Sequence, residues 1–371
     1  MTRIFLIAME RSGENLGLDL LARCVRAGIS SRWQGVVGPR LQAAGVENIA
    51  DGEVLAVMGL VEVLRHYPAL RRLYRHIVDF LRRERPDAVV LIDHPAFNLR
   101  IAKAAKQLGI RVLYVVGPQI WAWRPGRIRQ IRTAIDEIFL LFPFERSLYE
   151  AAGIPAHLLP HPLLQVTAAA PAWEDARKEL GLASSPLLVL LPGSRRGELS
   201  RLAKPMAQAA IRWRQRHPQW QLAVALAREE LRSLWRQEVG AHAAQIAEFQ
   251  GCTTTLLAAS DRVLVASGTA TLETALLGKP AVVLYALQPL TFVIAKRLVR
   301  VPHVALPNIL LGKRVYPELL QGEVRAESIV ETLENLDEDY QRAALAPLRG
   351  LLQGEGEGEI AEALRRVLQV A

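Results

Sequence analysis

Apolar residues along this chain come in short runs rich in β-branched side chains, separated by stretches whose apolar positions recur at helical spacing. Residues 4–9 form the first run, residues 16–27 carry a helical pattern, and residues 88–92, 99–108 and 112–116 repeat strand, helix and strand. This alternation predicts parallel βαβ units. A second series follows, with strands predicted at Leu187–Leu191, Gln221–Leu226, Arg262–Ala266 and Ala281–Tyr285. Between the two series Pro, Ala and Thr gather over residues 164–172, the composition of a boundary. The layout predicts an α/β protein of two Rossmann-like domains facing a central cleft, residues 1–166 and 167–345, with a C-terminal helical segment over 346–371. The last helical pattern, residues 358–370, suits packing on either half. Ligands of such sheets bind beyond the carboxyl ends of the strands, so the cleft is the expected site.

Residues 65–85 contain seven arginines, with Leu70, Leu73, Ile77 and Leu81 at helical spacing. A basic amphipathic helix of this kind either lies on anionic lipid or turns its apolar face to the protein core. The whole chain carries a formal net charge of +9, and residues 1–166 hold 22 Lys and Arg against 15 Asp and Glu. That excess predicts an anionic partner, but charge alone does not choose among DNA, RNA, anionic lipid and a phosphorylated substrate. No apolar run approaches the roughly 18–20 residues of a spanning helix. Residues 4–9 are too short for a secretory signal and read as a strand. Cys24 and Cys252 stand far apart without metal-ligand spacing, which suits a reducing compartment, so the cytoplasm is expected.

Two turns in the second half carry phosphate-type chemistry. The run Leu187–Leu191 leads into Pro192-Gly193-Ser194-Arg195-Arg196-Gly197-Glu198, which joins permissive backbone to a hydroxyl and two guanidinium groups. The plain alternative is a strand-to-helix turn with solvated arginines. The stronger signal is Ala266-Ser267-Gly268-Thr269-Ala270-Thr271-Leu272-Glu273, where a strand ends and a helix opens with its free N–H groups toward an anion. Glu273, one turn in, is placed to accept hydrogen bonds from a ribose diol. Alternatively Thr269 or Thr271 is an N-cap and Glu273 part of a capping box. Two such turns in one half favour a nucleotide site. A Walker A loop and a Gly-x-Gly-x-x-Gly after the first strand are both missing, which argues against kinases, ATPases and dinucleotide oxidoreductases.

In the first half, Glu10-Arg11-Ser12-Gly13-Glu14 sits where the first strand meets its helix and faces the expected cleft, unless Ser12 is only an N-cap. Asp93 ends the run 88–92, and a carboxylate at a strand's carboxyl end is well placed as a general base. The competing reading is a helix cap or an arginine's partner. Trp121-Ala122-Trp123-Arg124 reads as core aromatics beside a surface arginine, or, with Arg127 and Arg129, as a grip on a substrate phosphate. His161 precedes Pro162 near the domain junction, lining the cleft or structural. Asn308, in Leu306-Pro307-Asn308, reads a uracil edge or forms an Asx turn.

Taken in order, these blocks resemble the lipid-A-disaccharide synthase family across nearly the whole chain. The resemblance rests on Ser12-Gly13-Glu14 with Leu16-Gly17, Gly38-Pro39-Arg40, Ile92-Asp93 with Pro95 and Phe97-Asn98, Trp121 to Arg124, Phe142-Pro143-Phe144-Glu145 and His161-Pro162-Leu163. In the second half it rests on Pro192 to Arg195, Ser267 to Glu273, Leu306-Pro307-Asn308 and Pro317-Glu318-Leu319-Leu320-Gln321. It implies a GT-B fold and an inverting transfer without metal or cofactor, from UDP-2,3-diacylglucosamine to 2,3-diacylglucosamine 1-phosphate (lipid X). Asp93 would be the base. Ser194, Arg195, Ser267, Gly268, Thr269, Ala270, Thr271, Glu273 and Asn308 would hold the UDP-sugar. Ser12, Gly13, Glu14, Trp123, Arg124 and His161 would lie on the acceptor side. The family also implies peripheral attachment to the cytoplasmic face of the inner membrane, and a homodimer with exchanged C-terminal segments.

The chain departs from the family pattern at Met9, Arg11, Glu14, His94, Ala96, Gly117, Gln119 and Pro160, all in the half expected to bind the acceptor. Three other readings stand beside this one. A related UDP-sugar transferase or a UDP-N-acetylglucosamine 2-epimerase shares the two-domain fold, and the Ser12, Asp93 and Trp121 to Arg124 blocks argue against it. A nucleic-acid-binding protein predicts a basic groove with exposed aromatics, whereas the arginines here are spread over several helices without a recognised binding motif. An inactive membrane scaffold is opposed by the retained Asp93, Arg195 and Glu273.

Overall fold

The computed structural model describes residues 1–52, 55, 60–118, 120, 128–288 and 302–368, with residues 60–66 described by their backbone alone. Two compact units emerge, Met1–His161 with Gln353–Ala371, and Pro162–Leu352. Residues 164–172 therefore fall inside the second unit, where the helix-forming sequence of Leu163–Ala168 continues as a helix.

The first unit is built on seven parallel strands, β1 (Thr2–Ala8), β2 (Ser31–Val37), β3 (Glu47–Asn48), β4 (Ala88–Ile92), β5 (Arg111–Val115), β6 (Glu137–Leu140) and β7 (Ala156–Leu158). Their order is β3-β2-β1-β4-β5-β6-β7, so the winding reverses between β1 and β4, where Ile7 pairs with Leu91. Successive strand residues feed opposite layers. Phe5, Ile7, Val89 and Leu91 pack with Leu73, Ile77 and Leu81 of the helix Leu60–Glu84 and with Ile101 of the helix Pro95–Gln107. Ile4, Leu6, Val90 and Ile92 pack with Leu16 and Leu20 of the helix Arg11–Arg26 and with Ile360 and Leu364 of the helix Glu357–Leu368. The last helix thus completes the first unit.

Burial of Leu73, Ile77 and Leu81 decides between the two expectations for residues 65–85. Over the described side chains the apolar face belongs to the protein core, and Arg71, Arg72, Arg75, Arg82 and Arg83 are left exposed on the other side. A helix lying on lipid through that apolar face is therefore corrected.

The second unit has six parallel strands, β8 (Leu187–Leu191), β9 (Gln221–Leu226), β10 (Ala247–Gln250), β11 (Arg262–Ala266), β12 (Ala281–Tyr285) and β13 (Glu318–Leu320), ordered β10-β9-β8-β11-β12-β13. Winding reverses here between β8 and β11, which pair Leu191 with Val265. Each unit therefore has its own switch point, the place where open α/β sheets bind ligands.

Candidate active site

In the second unit the two phosphate-type turns leave neighbouring strands at the same end of the sheet. Beyond β8, Gly193 takes a φ of +104°, and Arg195 is the N-cap of the helix Arg196–Arg216. A side chain at 193 would be strained there, and its Cβ would stand 2.7 Å from Glu198 Oε2. The turn is tied down by Arg228, whose guanidinium donates to the Ser194 carbonyl at 3.0 Å. The Arg195 side chain is 81% exposed and reaches Glu198 at only 3.4 Å, so it remains available to an anion.

Beyond β11, the helix Thr269–Leu276 opens on Gly268, which has no side chain to cap it. Gly268 and Thr269 are exposed, Ala270 is half-buried, and Thr271 is buried with its hydroxyl on the Gly268 carbonyl at 2.7 Å. The Ser267 hydroxyl donates to the Val304 carbonyl at 2.7 Å and its amide to the Leu284 carbonyl at 3.0 Å, so both donors of Ser267 are spent on the scaffold and its expected place among the UDP-holding groups is corrected. No capping box forms. Glu273 instead accepts from the Thr254 hydroxyl at 2.5 Å. Burial pushes the Glu273 carboxyl above its ordinary range, and the Thr254 bond pulls it part of the way back. Thr254, in the helix Thr253–Ala259, was beyond sequence reasoning because nothing local links it to Glu273.

Asn308 requires a correction. It is fully buried, its amide nitrogen donates to the Tyr316 carbonyl and to Glu318 Oε1, both at 2.8 Å, and its oxygen accepts from the Val315 and Tyr316 amides, both at 2.9 Å. Both donor protons and both lone pairs are occupied, leaving no edge for a uracil. Asn308 pins the segment leading to β13.

In the first unit, Asp93 and His94 follow β4 at the switch point. Asp93 is exposed, with a φ of 53°. His94 is 3% exposed and lies 3.9 Å through Nε2 from the Glu10 carboxylate beyond β1. Ser12 is exposed at the second position of its helix, where Glu10 is the N-cap, so the N-cap reading of Ser12 fails. Gly13 is buried beneath it.

Glu14 is the second correction: it is 4% exposed, and its Oε1 accepts from the Arg40 amide at 2.8 Å and the Leu41 amide at 3.4 Å. It caps the helix Pro39–Ala43 from its neighbour and is withdrawn from the acceptor side. The same contact explains Gly38, whose Cβ would meet the Glu14 carboxyl at 2.5 Å. His161 is buried, packs on Phe142 with ring centroids 5.4 Å apart, and is held neutral at pH 7 because burial lowers its pKa to about 4. Gly117 is demanded by Tyr149, whose hydroxyl would lie 2.7 Å from a Cβ there. Trp123 and Arg124 lie outside the described residues.

The family profile described as Lipid-A-disaccharide synthetase matches residues 4–363. A lipid-A-disaccharide synthase from Alkalilimnicola ehrlichii is 41% identical, the alignment covering 98% of this chain and 97% of the relative. One from Pseudomonas putida is 37% identical, covering 99% and 98%. Among solved structures, a UDP-GlcNAc 2-epimerase from Neisseria meningitidis bound to UDP-GlcNAc superposes with a TM-score of 0.64 at 12% identity, covering 98% of this chain and 100% of that one. MurG from Acinetobacter baumannii gives 0.57 at 12% identity, covering 99% and 100%. Likeness at that identity establishes the fold, while the sequence relatives establish the family. The chain belongs to the lipid-A-disaccharide synthase family, glycosyltransferases of GT-B fold that form the disaccharide of lipid A.

Proposed function

We propose that the chain condenses UDP-2,3-diacylglucosamine with lipid X to give the β-1,6-linked disaccharide 1-phosphate and UDP. The observation that carries this reading is the family match from residue 4 to residue 363. Asp93 takes the proton of the acceptor 6-hydroxyl as that oxygen attacks the donor anomeric carbon. The bond from that carbon to UDP breaks with its electrons departing on the β-phosphate, and the configuration inverts. One base suffices because no covalent intermediate forms.

Negative charge growing on UDP meets the Arg195 guanidinium and the first-turn amides from Gly268 to Ala270, with Ser194 contributing its backbone amide, while the Ser267 and Thr271 amides are spent on the Leu284 and Gly268 carbonyls. Glu273, braced by Thr254, accepts from the ribose hydroxyls. Asn308 serves this half by holding its scaffold. On the acceptor side the reading keeps Ser12, Gly13, Trp123 and Arg124 and gives His161 a packing role. Acylated substrates place the enzyme at the cytoplasmic face of the inner membrane, where the exposed arginines of Leu60–Glu84 suit anionic lipid, and we expect a homodimer.

The test is incubation of the purified protein with UDP-2,3-diacylglucosamine and lipid X in detergent with EDTA, following UDP and disaccharide by mass spectrometry beside Asp93→Ala. Disaccharide that disappears in the variant supports the reaction and the base. UDP binding without disaccharide would overturn the acceptor and send the search to other UDP-sugar chemistry, including 2-epimerisation.

A further inference from the structure

β4 does not end in an ordinary turn. Asp93 and His94, with φ of 53° and 47°, occupy the left-handed region in succession, and neither is a glycine. Side chains enter that region at a cost, and two in a row persist only where surrounding contacts enforce them.

Those contacts converge on the backbone of Asp93. Its amide donates to the Val115 carbonyl at 2.9 Å, and its carbonyl accepts from Asn98 Nδ2 at 2.8 Å and from the Tyr114 hydroxyl at 2.5 Å. Asn98 Nδ2 spends its other proton on the Ile92 carbonyl at 3.1 Å. Asn98 and Tyr114 are both fully buried, and Asn98 Oδ1 has no partner among the described residues. The amide is therefore committed to holding two successive carbonyls even at the expense of its own acceptor. Among the described residues no side chain binds the Asp93 carboxylate, which is left exposed.

We infer that Tyr114 and Asn98 are positioning residues for the transfer reaction: by clamping the Asp93 carbonyl they hold residues 93 and 94 left-handed and so aim the Asp93 carboxylate out of the strand end. The inference rests on the proposed role of Asp93 as base. A flipped peptide at 93 would leave the same residues in the same sheet with the carboxylate misdirected, so the clamp bears on turnover rather than on substrate binding.

Tyr114→Phe removes one hydroxyl and little volume. Assayed below its unfolding midpoint, with folding checked by circular dichroism, it should lose about tenfold or more in kcat, while KM for both substrates stays within about twofold. Asn98→Ser, which shortens the donor out of reach, should show the same split and provides the test if Tyr114→Phe does not fold. A variant with a lowered midpoint but undiminished kcat would overturn the clamp and leave a packing role only. Asp93→Ala separates the two levels: inactive Asp93→Ala with fully active Tyr114→Phe sinks the clamp alone, whereas active Asp93→Ala sinks the base and the clamp with it.

Discussion

Glu273 is half-buried with one carboxylate oxygen on the Thr254 hydroxyl, and under the proposed role its protonation would bear on nucleotide binding. Burial raises its pKa above the ordinary 4.5, against the opposing Thr254 bond. An ionised carboxylate accepts from ribose hydroxyls more strongly than a neutral one. UDP affinity should therefore fall as the pH is lowered through that raised value, and Glu273→Gln should make the profile shallower while weakening UDP binding roughly tenfold or more at neutral pH. Calorimetric titration of UDP from about pH 8 down to about pH 4 reads both effects, and a wild-type profile no steeper than that of Glu273→Gln would detach Glu273 from the nucleotide. Asn308 gives a contrasting expectation. Its four hydrogen bonds are buried together with Glu318, which also accepts from the Ala305 amide at 2.9 Å. Asn308→Ala leaves those groups unpaired and should cost about 2–4 kcal/mol in urea unfolding, with the UDP affinity of the folded protein little changed. Lost affinity at undiminished stability would return Asn308 to the nucleotide.

The helix Glu357–Leu368 is held to the first sheet by charge as well as by apolar packing. Arg366 donates to both oxygens of Glu137 in β6, at 2.5 and 3.1 Å, and His157 in β7 stands between Glu137 at 3.3 Å and Glu355 at 3.1 Å. Burial pulls the His157 imidazole down, but the two carboxylates outweigh it and leave its pKa raised. The folded state therefore favours the imidazolium. Its contribution is fully present below the ordinary value of 6.5 and is lost as the pH climbs through the raised one. His157→Gln should lower the unfolding midpoint more at about pH 6 than at about pH 9, measured by thermal circular dichroism; equal deficits at both would remove the imidazolium from the network. At this scale the sequence is readable where the physics is local. β4, β8, β9, β11 and β12 are legible to the residue, since a parallel strand covered on both faces is an unbroken apolar run. β3 is only Glu47–Asn48, both exposed, and carries no such signal. Asp93 and Arg195 stand out because strand ends are local patterns. The cap that Glu14 makes on Arg40, 26 residues on, and the Tyr114 bond to Asp93, 21 residues back, exist only once the sheet has formed.

For the whole molecule, fold alone does not specify chemistry, since a UDP-GlcNAc 2-epimerase and a trehalose-6-phosphate synthase both share it. The chain carries a net charge of +9, and no helix among the described residues is long and apolar enough to cross a membrane. Of the large apolar side chains exposed among those residues, Met1 and Val25 line one hollow with Leu18, Leu21 and Ile29, away from the arginines of Leu60–Glu84 in sequence. The described part of Leu60–Glu84 adds arginines without an apolar face, because Leu73, Ile77 and Leu81 are already buried. The proposed attachment to a bilayer through this arginine face would be electrostatic, and it should follow screening. Sedimentation with phosphatidylglycerol vesicles should be strong near 0.1 M salt, where the screening length is about 10 Å, and largely lost near 1 M, where it is about 3 Å. Vesicles of neutral phosphatidylcholine should bind little at either. Replacing Arg71, Arg72 and Arg75 with Gln should weaken the anionic-vesicle binding by about 1 kcal/mol for each arginine that meets the surface, with turnover on detergent-dispersed substrates unchanged. Binding that persists at 1 M salt and in the triple variant would mean that an apolar surface, and not this arginine face, holds the protein to lipid.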